Sequence, residues 1–157
     1  MATLSEEVDM LRKIPLFAGI DPGKLKLLAF ASDRKTYKSG QDLFKQGDPG
    51  DAAYVIVDGS ADVIIDTDAG EVVVAEVGSN EFIGEISILC EVPRTATVRS
   101  SSDNLETLKI KKEHFVGLIT QVPDLGVEVM RELASRLSKT TAELGEARRE
   151  LSNAKTC

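Results

Sequence analysis

The chain has 157 residues, 42% of them hydrophobic and 29% charged, with 4% aromatics, no tryptophan and a formal net charge of −7; one globular domain with a core of Val, Ile, Leu and Ala fits these proportions. The acidic balance, with a pI near 4.8, offers no basic surface to neutralise nucleic-acid phosphates, so no nucleic-acid partner is expected. One histidine and two cysteines, Cys90 and Cys157, are too few for a clustered metal centre or a disulfide framework, and no apolar run nears the roughly 18 residues of a membrane span.

Residues 1–31 read as a helical segment with a break. Thr3 and Ser5 are candidate N-caps ahead of Glu6 and Glu7, whose charges suit a helix start. Val8, Leu11 and Ile14 share one apolar face, which Pro15 and Gly19 interrupt. Asp21-Pro22 then opens a short helix, as N-cap and first-turn proline, that carries Leu25, Leu28 and Phe30. Glu6, Glu7 and Asp9 stand where a signal peptide has a basic start, so no leader is expected and a cytoplasmic setting is the simplest one.

Residues 32–111 change texture, with short β-branched runs alternating with glycine turns. Strands are expected at 53–57, 61–66, 71–77, 95–100 and 105–111, punctuated by Gly40, Gly47, Gly50, Gly59, Gly70 and Gly78. That spacing suits an antiparallel sandwich or barrel. Asp68-Ala69-Gly70 reads as a hairpin turn, and Ser100 to Asn104 as a polar loop. Within this region, residues 82–89 do not read as a strand; 86–89 is compatible with a short helix preceded by Gly84.

Residues 112–157 are helical again. Phe115, Leu118 and Ile119 form one face, Pro123 interrupts, and a long helix follows from about Asp124 to about Ser152. Met130, Leu137, Leu144 and Leu151 recur every seven residues, with Leu133, Thr140 and Ala147 in the companion seam, so the stripe is that of a coiled coil, weakened by Thr140 and Ala147. Up to about Leu137 the helix is expected to lie on the β region; beyond it, the charged sequence needs a partner helix or stays solvated. A homodimer is one such partner.

The chemistry concentrates in 82–98, an apolar run that nevertheless holds Glu85 and Arg94, nine positions apart. Charges buried in such a run need partners. They could pair with each other and brace a bulge, or both could face a ligand carrying an anion and hydroxyls. Gly84 permits close backbone approach, amides at the start of the 86–89 helix can donate, and Arg94 can clamp a phosphate in a charge-assisted contact. Glu85 repels a phosphate and so would accept from a sugar hydroxyl. The glycine, the short helix and the hydroxyl of Thr95 favour the ligand over the internal pair.

The run FIGEISILCEVPRTATV resembles the phosphate-binding cassette of cyclic nucleotide-binding domains, the sensor modules of kinase regulatory subunits, cyclic nucleotide-gated channels and bacterial catabolite-activator-type regulators. Ile14 to Ile20 resembles the family's N-terminal helix-turn segment, Lys38 to Asp48 its first strands and their glycine turn, and Ala53 to Gly59 the next strand and turn. The resemblance covers about residues 10–137, and Ile83, where a second aromatic is common, departs from it. It implies an α+β fold, an antiparallel β jelly-roll barrel flanked by N-terminal helices and a long C-terminal helix.

The resemblance also assigns roles. Glu85 binds the ribose 2′-hydroxyl and Arg94 the cyclic phosphate, while Gly84, Ile86, Ser87 and Thr95 or Ala96 complete the cradle through backbone groups. Cyclic AMP is favoured over cyclic GMP, although Thr95 leaves the guanine ligand open. Arg131, Leu133 and Arg136 are lid candidates, against a simpler reading as surface arginines and a core leucine; His114 reads as a surface or turn residue and Cys90 as a small core residue. The expectation is a stand-alone, non-enzymatic sensor of bacterial type, with no cofactor or metal and no membrane partner, acting on an unidentified effector protein; the alternative is an interaction module with a degenerate nucleotide site.

Overall fold

The structure, a computed structural model, describes residues 3–155, so Cys157 lies outside the described residues. Helix α1 (Leu4–Arg12) starts from a reciprocal cap: the Thr3 hydroxyl accepts from the Glu6 amide at 3.2 Å while the Glu6 carboxylate accepts from the Thr3 amide at 3.1 Å. Ser5 lies inside the helix and is not the cap. One 3₁₀ turn, Pro15–Phe17, leads to α2 (Pro22–Ala31), with Pro22 in its first turn. Asp21 holds the N-cap position, but its side chain makes no cap hydrogen bond. Leu25, Leu28 and Ala29 face the core; Phe30, expected beside them, points away and is 82% exposed, because helical spacing puts it well round the cylinder from Leu25.

Among the described residues, eight strands form two antiparallel four-stranded sheets, and no closed barrel is found. They are β1 (Asp33–Tyr37), β2 (Asp42–Phe44), β3 (Ala52–Asp58), β4 (Ala61–Thr67), β5 (Gly70–Val77), β6 (Phe82–Ile83), β7 (Thr97–Ser100) and β8 (Leu105–Lys111). The orders are β1-β8-β3-β6 and β2-β7-β4-β5. All five expected strands are present, with the fourth shortened at its start. The β4–β5 hairpin closes at Asp68-Ala69, with the Thr67 hydroxyl donating to the Gly70 carbonyl at 2.7 Å. Phe82 and Ile83, read as outside any strand, pair with Val55 and Tyr54 of β3.

Two cores result. The larger joins α1, α2 and the C-terminal helices to the β3–β8 face through Leu11, Phe17, Leu25, Ile110, Phe115 and Leu125. The smaller lies between the sheets and includes Leu43, Tyr54, Ile56, Ile83 and Val98. Helix α3 (Glu85–Cys90) contributes Ile88 to the larger core, and Cys90, expected inside, is exposed at its end. Helices α4 (Lys112–Gln121) and α5 (Pro123–Lys155) close the chain, with Asp124 inside the first turn of α5. His114 is exposed, as expected. Leu125 and Val129 are buried and Leu133 packs on the core, whereas Met130, Leu137, Leu144 and Leu151 are all more than half exposed.

Candidate functional site

The site forms where β6 turns into α3. Gly84 sits at φ 86, the left-handed region that disfavours a side chain. A Cβ there would lie 2.6 Å from Arg94 Nη1 and 3.2 Å from the Ala52 carbonyl oxygen, so only glycine fits. The turn buries Glu85, Ser87 and Ile88 and leaves Ile86 and Leu89 outward. Helix α3 ends at Glu91, also left-handed at φ 53, and Pro93 leads into Arg94. The Arg94 backbone is then clamped to the β2–β3 loop: its amide donates to the Asp48 carbonyl at 2.8 Å and its carbonyl accepts from the Gly47 amide at 2.8 Å. Gly50 of the same loop lies so close to α3 that a Cβ would be 2.1 Å from the Ser87 Cβ.

The Arg94 side chain is 2% exposed. Nη1 donates to the Gly84 carbonyl at 2.9 Å and Nη2 to the Ala52 carbonyl at 2.6 Å. The Asp51 carboxylate stands 3.8 Å away, too far for a hydrogen bond. The Phe44 ring lies under the guanidinium, 4.0 Å from Cζ to centroid. Nε–H has no partner, the single such buried side-chain atom among the described residues. Burial pulls the guanidinium below its ordinary value, against the opposing effects of Tyr54 and Asp51.

Glu85 is 4% exposed and does not pair with Arg94. Its partner is Arg136 of α5, whose Nη1 donates to Oε1 at 2.8 Å while Nη2 donates to the Phe82 carbonyl at 2.7 Å. The Arg136 guanidinium stacks 4.6 Å over the Phe82 ring. Burial pushes the Glu85 carboxyl above its ordinary range, more than Arg136 pulls it down. The internal Glu85–Arg94 pair is therefore not made, because Gly84 and Ala52 carbonyls take the Arg94 donors and α5 supplies a different cation. The surface reading of Arg136 is likewise corrected, whereas Leu133 is a packing residue and Arg131 is exposed.

Gly84, Glu85, Ile86, Ser87, Arg94, Thr95 and Ala96 all line one cavity of about 810 Å³. Its other walls are apolar residues of β4 and β5, such as Val63, Ile65 and Val74, and the α5 residues Arg136, Lys139, Thr140 and Leu144. Such a cavity offers a buried guanidinium with one unpartnered N–H, a buried carboxylate and an apolar wall, which together suit an anion with hydroxyls and a flat hydrophobic part. Sequence reasoning missed Phe44, Gly50, Asp51 and Ala52. For Arg136 a signal was present: Leu125, Val129, Leu133 and Arg136 follow one helical face, so the arginine continues the buried stripe. Among the described residues there is no metal-ligand cluster, and no helix is long and apolar enough to cross a membrane.

A family model described as the cyclic nucleotide-binding domain matches residues 34–122. The cyclic AMP receptor protein of Thermus thermophilus is 32% identical over 131 residues, covering 83% of this chain and 60% of that protein. A Drosophila melanogaster cAMP-dependent protein kinase type II regulatory subunit is 26% identical over 131 residues, covering 83% of this chain and 35% of that protein. The solved N-terminal domain of a transcriptional regulator from Streptomyces coelicolor superposes with a TM-score of 0.65 at 34% identity, covering 84% of this chain and 94% of that one. The chain thus spans less than two thirds of the two full-length relatives it matches.

Proposed function

The chain belongs to the cyclic nucleotide-binding domain family, matched over residues 34–122, and from that premise we propose that it is a sensor that binds cyclic AMP, and cyclic GMP less well, in the cavity between α3 and α5. One observation carries this: the buried Arg94, whose Nε–H has no partner, lines a cavity of about 810 Å³ together with the buried Glu85. Its volume falls in the range of about 300–1,000 Å³ usual for small-ligand sites. The cyclic phosphate meets Arg94 and the amides of Gly84 to Ser87, and the ribose hydroxyl donates to Glu85. The base lies along Val63, Ile65 and Val74.

Signalling follows from the place of Arg136. It holds α5 against Glu85, the same carboxylate that the ribose needs. Nucleotide binding then redistributes the protein between α5 positions, because the ligand has different affinity for each. The moved helix reports to an effector protein, and its exposed Met130–Leu137–Leu144–Leu151 stripe pairs with a second copy of the chain. The net charge of −7 disfavours binding of nucleic-acid phosphates by these residues.

The test is calorimetric titration with both nucleotides. Saturable binding is expected, tighter for cyclic AMP. Arg94→Ala should weaken it by about 100-fold or more while thermal unfolding stays cooperative. Normal binding by that variant, or silence of the unsubstituted protein toward both nucleotides, overturns the proposal.

A further inference from the structure

Resting on the reading of Arg94 as the anion-binding residue, we propose that Phe44 is a positioning residue of the site: its ring holds the Arg94 guanidinium by one face in the orientation that meets the ligand phosphate. The argument begins in the β2 register. Asp42 lies opposite Arg99, but Phe44 lies opposite Val98, so β2 carries one extra residue. In a regular strand Leu43 and Phe44 would point to opposite faces. The bulge turns both into the core between the sheets, where Leu43 is buried and Phe44 packs against it. A large ring is thereby placed at the cavity wall, directly under Arg94.

The contact is a cation–π stack, with Cζ 4.0 Å from the ring centroid. The ring is itself braced by Tyr54, 5.8 Å from it, centroid to centroid. Meanwhile Nη1 and Nη2 each give one hydrogen to a backbone carbonyl. With one face on Phe44 and both terminal nitrogens tied, the guanidinium is fixed before any ligand arrives. An arginine left to search its rotamers would lose that freedom on binding and bind more weakly. It would also be free to close on Asp51, whose carboxylate stands 3.8 Å away and competes with a phosphate. An aliphatic side chain at position 44 could fill the space but could not attract the cation.

The experiment is a double-substitution cycle read by calorimetry with cyclic AMP. Phe44→Leu should weaken binding about tenfold, and Phe44→Tyr should restore it to within about threefold of the unsubstituted protein. In an Arg94→Lys background, which keeps the charge but has no plane to stack, Phe44→Leu should change affinity by less than about twofold. If Phe44→Leu does not fold, as judged by its thermal transition, Phe44→Met is read in its place. Unchanged affinity of the aliphatic variant, or an equal loss in both backgrounds, overturns the inference and makes Phe44 a packing residue only. A silent unsubstituted protein instead overturns the reading of the whole site, and is distinguishable because it appears before any substitution at position 44.

Discussion

Arg136 donates to Glu85 at 2.8 Å across 51 residues of sequence, joining the last packed turn of α5 to the buried carboxylate of the cavity. The guanidinium is about a third exposed while the carboxylate is nearly fully buried, so the bond anchors a surface helix to an interior group. If the ligand's hydroxyl must displace it, Arg136→Ala should raise cyclic AMP affinity about three- to tenfold. The same change should lower the melting temperature and speed amide exchange in the α5 turns around residue 136. Weaker binding by the variant would show that Arg136 holds the ligand and does not compete with it.

The protonation of Glu85 gives a second prediction. Burial raises its carboxyl above the ordinary 4.5, outweighing Arg136. The folded protein therefore holds this proton more tightly than the unfolded chain. Stability from this group is complete below about pH 4.5 and declines as pH rises through the higher folded value. Ionised Glu85 is a cost at neutral pH, and Glu85→Gln removes it. Urea denaturation of both proteins from pH 4 to 8 should show the variant gaining on the unsubstituted protein as pH rises, then levelling. A difference that does not change with pH, or one that favours Glu85 at high pH, would mean that the Arg136 pair dominates.

Much of the site could be read from the chain because it is local. Gly84, Glu85 and Arg94 lie within one run, and an apolar setting makes each of them conspicuous. The five strands with β-branched runs were equally legible. Strand β1 was not, since four of its five residues are exposed and no alternation marks it. The partners of the two charges were hidden for a different reason. Phe44 reaches Arg94 only through the β2 bulge, and Arg136 reaches Glu85 only after α5 crosses the cavity. The expected jelly-roll barrel is met in its antiparallel sheets, but the division of the strands into two four-stranded sheets is a choice that strand periodicity alone does not determine.

Gly50 carries a third prediction, because it does not line the cavity yet sits against α3. A Cβ at this position would lie 2.1 Å from the Ser87 Cβ and 3.3 Å from its Cα. Backbone on one side or the other must move. Gly50→Ala should destabilise the fold by about 1–3 kcal/mol and weaken cyclic AMP binding as well, since the same loop clamps the Arg94 backbone at Gly47 and Asp48. Denaturant midpoint and calorimetric affinity would both be measured. Full stability with normal affinity would mean that the loop yields freely and does not position the site.

The exposed stripe of α5 yields the last prediction. Met130, Leu137, Leu144 and Leu151 are 63%, 67%, 53% and 57% exposed, although each is large and apolar. The helix runs 33 residues, and its buried contacts to the core end near Leu133. Beyond Leu133 the helix borders the cavity along one face and leaves most of the stripe uncovered, and such a segment draws little stability from propensity alone. A seven-residue apolar repeat has its own partner geometry, a second helix packed along the seam. Light scattering should therefore report twice 16.9 kDa at micromolar concentration. The paired substitution Leu137→Glu with Leu151→Glu would place four carboxylates along a two-helix seam, and should give monomers with reduced helix content. A monomeric unsubstituted protein, with and without cyclic AMP, would leave the stripe without a second copy and remove dimerisation from the proposed signalling.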